Sequence, residues 1–347
     1  MSKKVIKLAI DAMGGDFGLD TTIKGSIDAV KEYSDLELVL YGDEEKINEH
    51  LNKNNLKLND RITIVHSPKV VDMGEHEPIA EIKRNKDSSL VMAFNAVKKG
   101  EADGVVTSGP TQCVIIAGLM VIRRLPGMKR LALCPNMPTF NPKGTLLLDC
   151  GANTTIKPEH IVQYAQFANI YVQSTKGIKE PKCYLLNIGV EPGKGRELEQ
   201  KTYELLQKAP LNFCGNIEPK EVPMSDADIV ITDGFSGNIM MKSFEGALKA
   251  AGAVLKKEIK SSLGGIIGSI FMRKNINRFK AFFDADKVGG AVLFGANGVV
   301  VKAHGSSNEI AFKHAIGLAR KTVEGQVVEK MRVYLEEHPL EGGNDED

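Results

Sequence analysis

Seven apolar runs in this chain empty into loops of small polar residues, and that repetition limits the fold more than any other feature. The runs are KLAIDAMGGD (7–16), GVVTSGP (104–110), TLLLDCGAN (145–153), CYLLNIG (183–189), NFCGNIE (212–218), DIVITDGFSGN (228–238) and VVVKAHGSSN (299–308). A run such as Thr145–Leu148 has no polar alternation. It therefore reads as a strand buried on both faces, the habit of parallel sheets. In open α/β sheets the loops at the carboxyl ends of strands form the ligand crevice. Glycine lets backbone approach a ligand, and Asn, Asp, Ser and Thr supply hydrogen bonds. One such loop would be an ordinary turn. Seven predict a site for a small polar group, an anion above all.

Between the loops, strand and helix alternate. Val5–Ile10 reads as a strand, and Asp20–Tyr33 as a helix with Ile23, Ile27 and Val30 at helical spacing. Leu36–Tyr41 and Arg61–Val65 read as strands, and the Asn- and Lys-rich His50–Asp60 as an exposed connection. Ser88 and Ser89 suit the N-cap of a helix through Val97. Strand Gly104–Thr107 and helix Cys113–Arg124 follow, with Pro126-Gly127 as the break, and Pro158 opens the next helix. This alternation predicts a mostly parallel sheet covered on both faces. It weakens in the Pro-rich stretch Pro135–Pro142 and in a long helical segment from Lys242 to Phe283. The 347 residues suffice for one α/β unit over 1–335, with room for two subdomains, and the acidic stretch 336–347 reads as a disordered tail.

Bulk numbers remove several classes. The net charge of +1, the lack of Trp and an aromatic content of 6% argue against a nucleic-acid partner. Cys113, Cys134, Cys150, Cys183 and Cys214 form no CxxC pair, and the histidines show no HExxH spacing, so no metal site is indicated. An odd cysteine count without a signal peptide fits a reducing cytosol. No stretch is long enough to span a bilayer.

Each candidate loop has a plain structural alternative. Asp11, Gly14, Gly15 and Asp16 occupy the position of a Rossmann phosphate loop, but GxGxxG is absent and a tight turn capped by Asp16 would look the same. Ser108 and Thr111 at a helix start can bind an anion or merely cap. Lys194, flanked by glycines, can reach a phosphate or point into solvent. Lys302, His304, Ser306 and Ser307 invite a hydrolase reading, but no GxSxG elbow exists.

Taken together, DAMGGD, LLDCGAN, LNIG-x-E-x-x-KG, GNIE, DGF-x-GN, LFG and KAHGSS resemble the bacterial phosphate acyltransferases of phospholipid synthesis, from about Lys7 to about Lys330. One departure stands out. The family run Ser-Ala-Gly-Asn-Thr-Gly-Ala is replaced by Ser108-Gly109-Pro110-Thr111-Gln112-Cys113, which keeps two hydroxyls and loses the Asn. The resemblance implies a three-layer α/β/α fold with a long mixed, mostly parallel sheet. That fold is similar to the isocitrate and isopropylmalate dehydrogenases and to the phosphate acetyltransferases, and is usually dimeric. It implies that long-chain acyl-acyl carrier protein and inorganic phosphate give acyl phosphate and free carrier, without cofactor or metal. Phosphate is already nucleophilic at neutral pH, so the enzyme need supply only proximity, charge compensation and oxyanion donors.

On this reading Asp149, Asn153, His304 and Ser306 are the catalytic candidates, and Lys194, Ser108, Thr111 and Asn238 bind phosphate. Asp11, Gly14, Gly15, Asp16, Asn187, Asn216, Asp233, Lys302 and Ser307 would surround them. An acidic carrier needs a basic patch, for which Arg123, Arg124, Lys129 and Arg130 are candidates. Glycines within 263–272 predict a protruding hairpin over about 256–283, with Ile266, Ile267, Ile270 and Phe271 at an apolar tip between basic flanks. Such a tip suits an anionic membrane, a dimer contact or a lid over an acyl tunnel. The expected setting is a cytoplasmic homodimer resting on the membrane, where an acyl phosphate:glycerol-3-phosphate acyltransferase would take the product. A short-chain acyl-CoA donor is the nearest alternative. An NAD-dependent decarboxylating dehydrogenase and a non-catalytic carrier-binding protein are the alternatives of other classes.

Overall fold

A computed structural model describes residues 5–282 and 289–338. Its strands are β1 (Ile6–Asp11), β2 (Leu36–Gly42), β3 (Ile62–His66), β4 (Gly104–Thr107), β5 (Ala132–Met137), β6 (Thr145–Leu148), β7 (Cys183–Leu186), β8 (Phe213–Ile217), β9 (Ile229–Ile231), β10 (Ala291–Phe294) and β11 (Val299–Lys302). The helices are α1 (Leu19–Glu32), α2 (Glu44–Lys53), α3 (Pro78–Arg84), α4 (Ser89–Lys98), α5 (Thr111–Ala117), α6 (Pro158–Lys176), α7 (Glu197–Leu206), α8 (Gly234–Lys260), α9 (Leu263–Phe271), α10 (Arg273–Phe282), α11 (Glu309–Glu324) and α12 (Val327–Glu337). The strands join in one sheet of order β3-β2-β1-β4-β11-β10-β5-β6-β9-β7-β8.

The uninterrupted apolar runs do lie in the middle layer. Alternate residues of β1, β4 and β11 feed two cores. Leu8, Ile10, Val106 and Val301 pack with Ile23 of α1 and Phe312 of α11, while Ala9, Val105 and Val300 pack with Leu90 and Phe94 of α4 and Val114 of α5. A further core gathers Leu147, Leu186, Val230 and Met240 in the second half of the sheet. The result is the expected helix–sheet–helix sandwich on a mostly parallel sheet.

The direction of the strands does not support one shared crevice. β3, β2, β1, β4 and β11 are mutually parallel, as are β6, β9, β7 and β8. Between these halves lie three antiparallel pairings in succession, β11 with β10, β10 with β5 and β5 with β6. An odd number of reversals turns the sheet around. The loops after β1, β4 and β11 therefore point one way along the sheet, and those after β6, β7, β8 and β9 the other.

Several local expectations change. Helix α2 runs to Lys53, so the exposed connection expected from His50 begins later; Asp43 caps that helix through the Lys46 N–H. The Pro-rich stretch from Pro135 opens inside a strand. β5 gives Ala132–Pro135 to β10 and Asn136–Met137 to β6, so it is the splice between the halves. Helix α5 ends at Ala117, and a π-helical turn, Gly118–Ile122, continues it. A Cβ at Gly118 would stand 2.6 Å from Leu293 Cδ2. The apolar stretch 263–271 is itself helix α9, and the break falls before it, where Ser262 Oγ accepts the Gly265 N–H at 3.0 Å. Helix α8 buries only Gly234, Gly237 and Met240, all in its first turns, and leaves the body beyond them. The tail expected from residue 336 starts within α12, and 339–347 lie outside the described residues.

Phe294 of β10 stacks on Phe167 of α6 at 4.5 Å and meets Tyr171 at 5.2 Å, fastening the splice to its covering helix. Phe294→Ala should cost about 3–5 kcal/mol in denaturant unfolding. A loss below about 1 kcal/mol would mean that this stack does not hold the two halves together.

Candidate functional site

The first cluster forms at the ends of β1, β4 and β11. The register aligns Ile10 with Val106 and Lys302 with Thr107, so Asp11, Thr107 and Lys302 form one row across three strands. All three are buried. Asp11 accepts the Ser89 hydroxyl at 2.6 Å and the Thr107 hydroxyl at 2.7 Å. Burial pushes its carboxyl above the usual range, against these bonds and those from the Met13 and Gly14 backbone. The carboxylate thus holds its own loop. A Cβ on Gly14 would stand 2.6 Å from Asp11 Oδ2, so only glycine fits there.

The neighbouring loops are tied to this one. The Asp16 N–H donates to the Gly305 carbonyl at 2.8 Å, and the Thr21 hydroxyl to the Ser307 carbonyl at 3.0 Å. His304 is exposed, and its Nδ1 lies 2.8 Å from Ser306 Oγ and accepts the Ser306 N–H at 3.2 Å. An accepting Nδ1 leaves the ring hydrogen on Nε2. Ser108 is 1% exposed and its hydroxyl has no hydrogen-bond partner. Thr111 opens α5 beside it. Lys302 is buried, and burial lowers its ammonium to about 8 against the pull of Asp16.

The second cluster forms at the ends of β6, β7, β8 and β9. Asp149 Oδ1 accepts the N–H groups of Leu133 at 3.0 Å and Ala152 at 3.1 Å. Its Oδ2 accepts the Asn153 N–H at 2.7 Å and the Asn153 amide at 2.9 Å. That amide also lies within bonding reach of the Leu131 carbonyl and the Tyr164 hydroxyl. Burial raises the Asp149 carboxyl, opposed by these same bonds. Asp149 therefore spends both oxygens on the loop, which is the work of a positioning residue, and Asn153 commits its amide nitrogen there.

Asp233 caps α8 through the Ser236 N–H at 2.8 Å and pairs with the Arg196 guanidinium. Burial pushes its carboxyl up, but the bonds from Ser236 and Arg196 outweigh burial and hold it below the usual range. Asn187 donates to the Lys194 carbonyl at 3.0 Å and Asn216 to the Glu191 carbonyl at 2.8 Å, which shapes the loop that presents the exposed Lys194. Asn238 lies beside Gly151, where an added Cβ would be 3.5 Å from its Cγ. Arg196 and Tyr164 were missed by the sequence reading. Arg196 carried a signal, since it directly follows Lys194-Gly195; nothing local marks Tyr164.

The two clusters are distinct within one protomer. Six strand steps separate β4 from β7, roughly 29 Å at about 4.8 Å per step. Ser108 and Lys194 therefore cannot hold one phosphate in a single chain. The basic patch adjoins the second cluster, because Asn153 bonds to the carbonyl of Leu131, the residue after Arg130. Arg123 and Arg124 are exposed there, while Lys129 and Arg130 are half-buried. On α9, Ile266 and Ile267 are exposed, and Ile270 and Phe271 are 67% and 85% exposed. No described helix is long and apolar enough to cross a membrane. Among the described residues no three His, Cys, Asp or Glu side chains gather as a metal site would require.

The family described as fatty acid synthesis protein matches residues 6–330. The phosphate acyltransferase of Acholeplasma laidlawii is 46% identical over 95% of this chain and 98% of its own length. The chain belongs to the phosphate acyltransferase family. The phosphate acyltransferase of Staphylococcus aureus is likewise 46% identical, over 94% of this chain. Among solved structures, a phosphotransacetylase from Streptococcus pyogenes superposes with a TM-score of 0.59 at 19% identity, covering 95% of both chains. A branched-chain phosphotransacylase from Enterococcus faecalis gives 0.57 at 16% identity, covering 92% of this chain and 100% of its own. A 4-hydroxythreonine-4-phosphate dehydrogenase from Salmonella typhimurium gives 0.50 at 11%, covering 92% of this chain and 100% of its own. These structures share the fold. As a phosphate acyltransferase the protein is an enzyme of the acyl-transferring class.

Lys302 carries a cost in this acyltransferase. Its ammonium is near 8 when folded and near 10.5 as a free side chain, so the folded state holds fewer protons between those values. Stability from this group therefore rises with pH across that window and is poorest below it. Lys302→Met should raise the melting temperature at pH 7, with the gain shrinking toward pH 10, as calorimetry would read. A lower melting temperature at pH 7 would show that the lysine is a structural support.

Proposed function

We propose that the enzyme transfers a long acyl chain from acyl-acyl carrier protein to inorganic phosphate, releasing acyl phosphate and free carrier for glycerophospholipid synthesis. The observation that carries the reading is the 46% identity to a phosphate acyltransferase across 95% of the chain. Its chemistry fits strand ends rich in hydroxyls and glycines, which favour an anion and a tetrahedral oxyanion without covalent intermediate. His304, in its imidazolium form, is assigned to protonate the leaving thiolate and end as the neutral ring, and Ser306 and Ser108 to hydrogen-bond phosphate or oxyanion. Lys194 and Asn238 compensate and orient anionic charge. Asp11, Asp149, Asn153, Asn187, Asn216 and Asp233 shape the loops. Arg123 and Arg124, exposed beside the second cluster, are assigned to the acidic carrier.

A homodimer belongs to this reading for a geometric reason. A two-fold axis across the strands reverses their direction. It would set the β6–β9–β7 end of one protomer facing the same way as the β1–β4–β11 end of its partner, so that Lys194 and Ser108 could serve one phosphate. His304→Ala and Lys194→Ala should each be nearly inactive alone. Mixed and allowed to exchange subunits, they should recover up to about a quarter of the parent activity, since half the dimers hold one intact site of two. Recovery of nothing would put the whole site in one chain.

The donor is decided by one comparison. With phosphate present, palmitoyl-acyl carrier protein should release carrier thiol far faster than acetyl-CoA releases CoA. A preference for acetyl-CoA would move the reading to a short-chain enzyme. Reduction of NAD by a hydroxy acid in place of thiol release would move it to a dehydrogenase.

The enzyme is also proposed to work in the cytoplasm against an anionic membrane, through the exposed apolar face of α9 and its basic flanks Lys256, Lys257, Lys260, Arg273, Lys274 and Arg278. Four apolar side chains at such a surface contribute several kcal/mol, and each nearby cation about 1 kcal/mol. Sedimentation with anionic vesicles should weaken at high salt and in the double variant Ile267→Asp, Phe271→Asp. A folded double variant that binds vesicles like the parent would remove α9 as the anchor.

A further inference from the structure

Two polar groups at the ends of adjacent strands lack ordinary partners. The Ser108 hydroxyl, at the end of β4, is buried and unbonded. It lies against Gly15, whose Cβ, if present, would be 2.8 Å from Ser108 Cβ and 3.2 Å from the Gly305 carbonyl oxygen. The Lys302 ammonium, at the end of β11, makes one hydrogen bond, 3.0 Å to the carbonyl of Ala303. Among the described residues no carboxylate lies within ion-pairing distance of it. A buried ammonium with a single carbonyl is costly, and such a group either gives up its proton or waits for an anion. Its pKa near 8 agrees with that position.

Apart from the unpaired influence of Asp16, the groups around Lys302 leave it no counter-charge. The β1–α1 loop contributes Asp16, which acts on the ammonium from a distance. Asp11 in the same strand row is saturated by Ser89, Thr107 and its own loop. The neighbours in register, Thr107 of β4 and Ala291 of β10, carry no charge. Helix α5 offers only Cys113, whose thiol burial pushes up to about 11. On the opposite face α11 begins with Glu309, already paired with Lys24 at 2.6 Å. His304, two residues on, is engaged by Ser306.

We propose that Lys302 and Ser108 form the pocket for the acceptor phosphate, and that the anion enters together with a proton taken up by Lys302. The balance is simple. In the empty enzyme the amine is largely neutral above pH 8. Binding of the phosphate dianion restores the ammonium, one proton moves from solvent to Nζ, and no bond is broken. Above pH 8 charge compensation is thus created as the acceptor binds, while near pH 7 most of it is already in place. This deepens the phosphate acyltransferase reading and rests on it for the identity of the anion.

Isothermal titration in buffers of different ionisation enthalpy tests it, with inorganic phosphate and with sulfate, which does not titrate in this range. With sulfate the parent should take up about 0.9 proton per anion at pH 9, falling to about 0.1 at pH 7; with phosphate the pH 7 figure is offset by the protons that the monoanion sheds on binding as the dianion. Lys302→Arg, permanently charged, should bind within a few-fold of the parent with no uptake. Lys302→Met should bind at least about tenfold more weakly at pH 7. Ser108→Ala should weaken binding several-fold and leave the uptake unchanged. Absence of uptake in the parent at pH 9, or uptake that persists in Lys302→Arg, overturns the proposal. The second result would assign the proton to another group, such as His304. Should Lys302→Met not fold, the parent and Lys302→Arg still decide. Anion binding with uptake but no acyl transfer would sink the functional reading and leave the pocket standing. Acyl transfer without uptake would sink the pocket alone.

Discussion

Two buried carboxylates organise both ends of the sheet. Asp11 and Asp149 each follow an apolar strand, and each turns its oxygens inward onto the N–H and hydroxyl groups of its own surroundings. Burial alone would favour the neutral acid, as the raised pKa of both shows. The donors make the charged form tolerable, and in exchange the carboxylates fix their own loops. Loops assigned to chemistry lean on these two: the Asp16 N–H donates to the Gly305 carbonyl, and the Gly234 N–H to the Asn153 carbonyl. Gly14, Gly15 and Asp16 follow Asp11, and Asn153 closes on Asp149. A carboxylate that is satisfied in this way does not reach a substrate. It makes the backbone rigid enough for its neighbours to do so.

That distinction bears on what the sequence could reveal. The strand ends were readable, because an apolar run that stops in Gly, Asp and Asn has few other meanings. β4 and β6 begin and end where the pattern put them. The direction of those strands was not readable. Parallel and antiparallel neighbours share one local pattern when both faces are buried, and only the pairing of β5 with β10 and β6 reveals the reversal. β5 itself was obscured by Pro135, which has no N–H to give and so argues against a central strand. Site residues followed the same rule. Residue types that serve a site were found, but whether a side chain faces ligand or loop depends on contacts far along the chain, such as Asn153 with Tyr164. The acyltransferase family itself was readable, since its motifs span nearly the whole chain in order.

Helix α8 shows how the fold links the site to the surface. Its first turn is built into the second cluster, with Asp233 as cap and Gly237 so close to the Asp149 carbonyl that an added Cβ would stand 2.0 Å away. Its later turns touch almost nothing in the body. A helix of 27 residues with only its first turns packed needs a partner for its apolar residues or a solvent that accepts them. Phe282, at the end of α10, returns to Phe140 on the body at 5.2 Å, so the arm is anchored at both ends while α9 stays exposed.

The protein contains a natural control for the meaning of its buried lysines. Lys176 is also lowered to about 8 by burial. Yet its Nζ bonds to Asn136 Oδ1 at 2.7 Å and to the Gly144 carbonyl at 2.9 Å, fastening the end of α6 to the turn before β6. With those acceptors in place, Lys176 has a structural reason to be there. Lys302 has nearly the same burial and the same shift, but one acceptor, supplied by the next residue. Equal desolvation with unequal satisfaction separates a strut from a vacancy for charge. For stability alone the second kind is a loss, because an apolar side chain of similar size would pack there at lower cost. A lysine in that condition at the end of β11, with an unbonded serine hydroxyl at the end of the adjacent β4, is the arrangement that the proposed anion would complete.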